Sequence, residues 1–117
     1  MVLAQGRFWR SNLTRGAGLV VLELRKAALP EELQELRDLR IEVPLDKWTL
    51  LAKNVYSDRK LLGGLLLDFA KHKDRVGAAV GNDRLLAELR RVLLDATAVL
   101  LEESILTLAP AGGGMKT

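Results

Sequence analysis

A mainly helical fold with one short β element is what this sequence predicts, and three observations predict it. Leucines recur at helical spacing through nearly all of the second half. The stretch LRIEVPLDKW (39–48) opens with Leu39, Ile41 and Val43 alternating with Arg40 and Glu42, the two-residue rhythm of a half-buried strand. Aromatic residues are only 4% of a chain that is 49% hydrophobic, so the core must be mostly leucine, valine and alanine. An all-α bundle is the alternative fold class.

At 117 residues the chain is long enough for one domain with a modest core. The expected division is a basic N-terminal arm (1–17), a single helical domain (18–109) and a flexible tail (110–117). In the arm, GRFWRSNLTRG (6–16) mixes arginine with Phe8 and Trp9 and shows no evident periodicity. GLVVLELRK (18–26) suits either a strand, through Val20, Leu22 and Leu24, or the start of a helix. Pro30 then opens a helix over about 30–37: proline is at home in a first turn, and Glu31 and Glu32 sit where the helix dipole favours negative charge.

The strand 39–43 ends at Pro44, which has no N–H to give to a ladder. A helix over about 47–56 follows, with Asp46 as its cap and Trp48, Leu51, Ala52 and Val55 on one face. Tyr56-Ser57-Asp58 is the next break, and a helix over about 58–73 buries Leu61, Leu62, Leu65, Leu66 and Phe69. Gly63-Gly64 inside it implies close approach of another helix, because each glycine costs about 1 kcal/mol relative to alanine there; a break into two shorter helices is the other reading. Asn82 or Asp83 caps the last helix, about 83–108. One face holds Leu85, Leu86, Leu89, Val92, Leu93, Ala96, Val99 and Leu100, and a second stripe of Leu94, Leu101, Ile105 and Leu108 appears in its later half. Two apolar faces on one helix imply self-association or burial against a larger protein partner.

Several function classes are excluded or disfavoured on composition. No uncharged apolar window reaches the length of a membrane span. No signal peptide is expected, since the apolar run 17–22 is short and lies behind Arg7, Arg10 and Arg15. Cysteine is absent, which fits a cytoplasmic protein without disulfides. His72 is the single histidine, among Lys71, Lys73 and Asp74, and reads as a solvated side chain; no ligand spacing for a metal exists. Neither a nucleophile with its base nor a glycine-rich phosphate loop is present. No enzyme, metal or cofactor is expected.

What remains is binding. Net charge is +3, and residues 1–29 carry Arg7, Arg10, Arg15, Arg25 and Lys26 against Glu23 alone. Such an asymmetry suits nucleic acid, with arginines on phosphates and Trp9 stacked on a base; the competing readings are a solvated terminus for the charge and a local hydrophobic clasp, with Trp9 closing the core, for the arm residues. A lone strand must also find a partner, either residues 19–25 or a second copy of 39–43 across a two-fold axis.

The order RIEV, Pro44, WTLLAKNV, YSD and RKLLGGLLLDFAKH, residues 39–73, resembles the ribbon-helix-helix DNA-binding family. That resemblance implies a ribbon-helix-helix-like centre followed by a long C-terminal helix, and a dimeric DNA-binding transcriptional regulator. It implies a strand paired with its dimer mate in the major groove, Arg40 and Glu42 toward base edges, and Ser57 with the backbone at Asp58 against a phosphate. Asp38, Glu42 and Asp58 depart from the family by placing carboxylates where a polyanion would lie. The expected nucleic-acid-binding residues are therefore Arg7, Trp9, Arg10, Arg15, Arg40 and Ser57, with DNA first among partners. Ile41, Val43, Leu62, Leu66, Leu94, Leu101 and Ile105 are expected at a homo-oligomer interface, dimer or higher. The alternative is a helical structural or accessory subunit of a larger nucleoprotein or protein assembly.

Overall fold

Burial alternates with period two along residues 9–14 and 40–44. The computed structural model describes residues 1–107, and within them the chain forms β1 (Val2–Gln5), β2 (Trp9–Thr14), β3 (Leu19–Leu24) and β4 (Arg40–Pro44), then α1 (Leu45–Asn54), α2 (Arg59–Asp68), α3 (Lys73–Val80) and α4 (Asp83–Glu102). The four strands make one antiparallel sheet in the order β1-β2-β3-β4. In β2, Trp9, Ser11 and Leu13 turn inward while Arg10 and Thr14 face water. They lie opposite Leu24, Leu22 and Val20 of β3, and Leu22 and Val20 in turn lie opposite Ile41 and Val43 of β4. One face of the sheet is thus a continuous apolar layer, as an antiparallel sheet with one covered side requires.

This corrects the expected fold class. The protein is not mainly helical with a short β element, nor an all-α bundle, but a mixed α/β fold with an N-terminal antiparallel sheet. Residues 1–17, expected to be an arm, supply its first two strands. The strand reading of 18–26 is the one realised, and β3 is the same-chain partner of β4. The other edge of β4 is met by Ala70, which forms an antiparallel bridge with Ile41. A ribbon-helix-helix-like centre, whose strand pairs across a dimer axis, is therefore replaced by a sheet completed within one chain.

The helical boundaries shift for local reasons. The 30–37 helix is a tight 3-10 segment over Glu31–Leu36, because the chain must turn back to enter β4 at Arg40 after burying Leu29, Leu36 and Leu39. The 58–73 helix stops at Asp68, since Ala70 extends to meet Ile41, and α3 begins afresh at Lys73. Asp58, not Ser57, caps α2, its carboxylate accepting from the Lys60 N–H at 2.8 Å. Gly63 allows close packing as anticipated, for a Cβ there would lie 2.9 Å from Val80 Cγ1 of α3, whereas Gly64 faces open space. Between β2 and β3, Gly18 takes φ 63°, a left-handed turn open to glycine without strain, and its carbonyl accepts from the Leu45 N–H at the mouth of α1. Asn82 caps α4, which ends at Glu102 rather than 108; the Ile105 and Leu106 N–H groups both return to the Leu100 carbonyl. Leu108 and the tail 110–117 lie outside the described residues.

The face of α4 carrying Leu85, Leu89, Val92, Leu93, Ala96 and Leu100 is buried against the sheet and the other helices. Both tryptophans are fully buried and donate to this helix: Trp9 Nε1 to the Leu85 carbonyl at 2.9 Å, and Trp48 Nε1 to Thr97 Oγ1 at 2.8 Å. The Thr97 hydroxyl in turn donates to the Leu93 carbonyl at 2.7 Å, so the buried pair is satisfied at every donor. The Glu88 side chain is only 10% exposed, and both its oxygens lie within 2.8 Å of the Phe8 N–H in the β1–β2 turn. Gly6 makes room for that carboxylate, for a Cβ on it would fall 2.0 Å from Glu88 Oε1.

Two outcomes follow. Glu88→Ala removes the only acceptor of the Phe8 N–H seen among the described residues and should destabilise the fold by about 1–3 kcal/mol; Gly6→Ala displaces the same carboxylate, so in urea titrations the double variant should be little worse than Glu88→Ala alone. Thr97→Val leaves the Trp48 N–H unpaired and should cost about 1–3 kcal/mol by the same measurement, while Thr97→Ser should retain most of the stability.

Candidate functional site

Where β3 ends and β4 begins, two short runs of charge come together. Arg25-Lys26 continues from β3, RDLR (37–40) leads into β4, and Arg10 stands at the start of β2, opposite Glu23. Together with Glu23, Leu24, Ala27, Asp38 and Leu39 they line a cleft of about 570 Å3. Five cations face two carboxylates there. One of those, Glu23, is already occupied: it accepts from Arg10 Nε at 2.8 Å and from Asn12 Nδ2 at 3.1 Å.

The arginines are positioned by single contacts that leave most of their donors available. Arg25 Nη1 donates to the Gly6 carbonyl at 2.6 Å, and Arg37 Nη1 donates to the Gln34 carbonyl at 2.9 Å. Arg40 Nη2 reaches Glu42 Oε2 at 3.4 Å, both side chains being more than half exposed, a pair of little energetic weight. A guanidinium carries five N–H donors in a planar fork that matches phosphate oxygens, so one held donor orients the group and the rest remain for an anion. The 26–29 turn is fixed from below by Gln34 Nε2, which donates to the Leu29 carbonyl at 2.8 Å. A second, smaller cleft of about 240 Å3 shares Asp38 and Arg40 with the first and adds Glu42, Phe69, Lys71 and His72.

The residues expected to bind nucleic acid are dispersed by this fold. Arg10 and Arg40 line the cleft. Arg15 lies beyond the other end of β2, about 17 Å along the strand from Arg10 at some 3.3 Å per residue. Arg7 is exposed at the β1–β2 turn, its guanidinium 5.2 Å from the centre of the Phe8 ring. Trp9 is fully buried with its indole N–H on Leu85, so it closes the core and has no face for a base. Ser57 is half-buried between α1 and α2, its N–H on the Asn54 carbonyl at 3.0 Å. Of the residues expected at an oligomer interface, Ile41, Val43, Leu62 and Leu66 are fully buried within the single chain. Leu94 and Ile105 are half-buried and Leu101 is 37% exposed.

Arg25, Lys26 and Arg37 are the cleft residues that sequence reading left out of the site. Their signal was present as two short basic runs, at 25–26 and 37–40, separated by a loop; only the β3–β4 pairing shows that the runs meet. No acid–base pair with a nucleophile lines the cleft, and among the described residues no cluster of three or more His, Cys, Asp or Glu is placed to hold a metal. Comparison with protein-family models, with curated proteins and with solved structures gave no match.

Proposed function

We propose that this chain is a small non-enzymatic nucleic-acid-binding protein, which holds the phosphate backbone in the cleft between the β3 exit and the β4 entry. One observation carries the reading: five cations ring a single cleft whose two carboxylates include one already paired with Arg10 and Asn12. Guanidinium and ammonium groups at such a site neutralise phosphates and release their counterions, a sequence-independent source of affinity. With Trp9 and Phe8 both buried, no ring of the N-terminal strands is offered to bases, so little discrimination between sequences is expected.

This favours an accessory subunit of a nucleoprotein assembly over a sequence-specific transcriptional regulator. Reading of the major groove by β4 forms no part of the proposal, because β3 and Ala70 take up its two edges and its exposed Arg40 and Glu42 face each other. DNA is the first partner to test. A cytoplasmic place of action belongs to the same proposal; no helix among the described residues is long and apolar enough to cross a membrane.

Fluorescence anisotropy with a labelled duplex tests it. With four or five phosphate contacts, affinity should fall by about 10²–10³ between roughly 50 and 200 mM salt. Lys26→Glu with Arg37→Glu, both on exposed side chains, should weaken binding and flatten the salt slope by about one unit or more per site. Arg15→Glu, outside the cleft, should leave it nearly unchanged. Binding that ignores salt, or a Lys26/Arg37 variant equal to the parent, would overturn the reading.

A further inference from the structure

On the solvent side of α4 an apolar strip runs between charged positions, with Arg84, Arg91, Asp95 and Glu102 exposed beside it. Ala87, Leu94, Ala98 and Leu101 follow one another along it at spacings of seven, four and three residues, the pattern of a helix–helix seam. At the N-terminal half of this stripe, Ala87, Arg90, Arg91 and Leu94 stand at i, i+3, i+4 and i+7 and, with Tyr56 as a side wall, enclose a hollow of about 310 Å3. Four residues at that spacing are the hole into which a facing helix inserts one side chain. Tyr56 is 79% exposed there. At the C-terminal half stands a matching knob, Leu101, 37% exposed and pointing to solvent from the last turn.

Charge along the helix is segregated in the same sense. From Val92 to Thr107 there is no cation, and Asp95, Glu102 and Glu103 are the only charges. Two of those carboxylates sit at the helix C-terminus, where the dipole disfavours them and where no basic residue lies in the last turn. In the first half, Asp83 and Arg84 are engaged by Arg59 and Glu32, and Glu88 is turned in to the Phe8 N–H; Arg91 is exposed beside Asp95, and the half-buried Arg90 has its Nη2 3.5 Å from the Ser57 carbonyl. The geometry points to a second copy of this chain as the occupant of the stripe, with its α4 antiparallel across a two-fold axis near Leu94 and Ala98. That one placement seats each Leu101 in the other copy's hollow and brings each Glu102 to the other copy's Arg90 and Arg91. Asp95 lies near the axis, and its own Arg91, 3.3 Å away, screens it from its twin. Alanine at 98 lets the two backbones approach. The surface is self-complementary, as a two-fold interface must be, and it lies on α4, apart from the basic cleft at the strand ends.

Sedimentation equilibrium of the full chain at low salt, from about 10 to about 200 µM, tests this through the mass-action dependence of dimer on concentration. The chain should approach twice its 12.9 kDa mass. Ala98→Glu, at an exposed position beside the axis, should give a monomer with unchanged helical circular dichroism. Arg91→Glu and Glu102→Arg should each weaken the dimer at least tenfold, and the double charge swap should restore it, a result that mere unfolding would not give. A parent chain that stays monomeric throughout would overturn the inference. So would a dimer indifferent to Ala98→Glu, or single charge changes that the double swap does not rescue. None of these outcomes depends on whether the cleft binds a polyanion.

Discussion

The fold depends on α4 lying against the β1–β2 hairpin, and on the few polar bonds that fix it there. An apolar helix stripe and an apolar sheet face attract each other without a preferred register. Register comes from directional groups: the Glu88 carboxylate on the Phe8 N–H, the Trp9 indole on the Leu85 carbonyl and, twelve residues on, the Trp48 indole on Thr97. The first two bind the helix to the sheet, and the third binds α1 to the same helix. Each is buried or half-buried, so a slipped arrangement would strand several donors at once, which is far less favourable than losing some contact area. Gly6 belongs to this device as the absence of a side chain that the carboxylate requires.

The basic cleft is a consequence of that arrangement rather than an addition to it. Once the inner face of the sheet is committed to α4, the chain places charges at the strand ends and on much of the outer face, where Val21 is the buried exception. Arg10, Glu23 and Arg40 sit side by side in register across β2, β3 and β4. The alternation that buries Trp9, Leu24 and Leu39 turns their neighbours Arg10, Arg25 and Arg40 toward the opening. Concentration of cations at one end of the sheet thus follows from strand register together with two short basic runs.

How much of this was legible in the sequence differs by element. The alternation of Ile41 and Val43 marked β4 to within a residue, and its possible pairing with 19–25 was visible because Val20, Leu22 and Leu24 repeat the same rhythm. The first two strands were not seen, because Ser11 interrupts the apolar pattern of β2 at a core position; its hydroxyl is satisfied on the Ala4 carbonyl, a contact that exists only after β1 has paired. Trp9 beside two arginines looked like a nucleic-acid-binding ring for the same reason. The long helix at 58–73 was over-read since leucine continues through the point where Ala70 leaves to bridge Ile41, and no local signal competes with that periodicity. Ile41, Val43, Leu62 and Leu66, grouped with the second stripe on α4 as an oligomer surface, are consumed inside the chain, whereas in that stripe Leu94 and Ile105 are half-buried against the core and Leu101 is 37% exposed. Arg10 and Arg40 were chosen for a single-strand or ribbon geometry and come together instead at a sheet end.

Amide hydrogen exchange across residues 9–24 tests the central claim most directly, since it distinguishes a pinned hairpin from a loose N-terminal arm. If α4 holds the sheet in register, the ladder amides of β2 and β3 should exchange as slowly as the core amides of α4, as parts of one cooperative unit. Exchange of the β2 amides at the rate of an unstructured chain, with α4 still protected, would contradict the account.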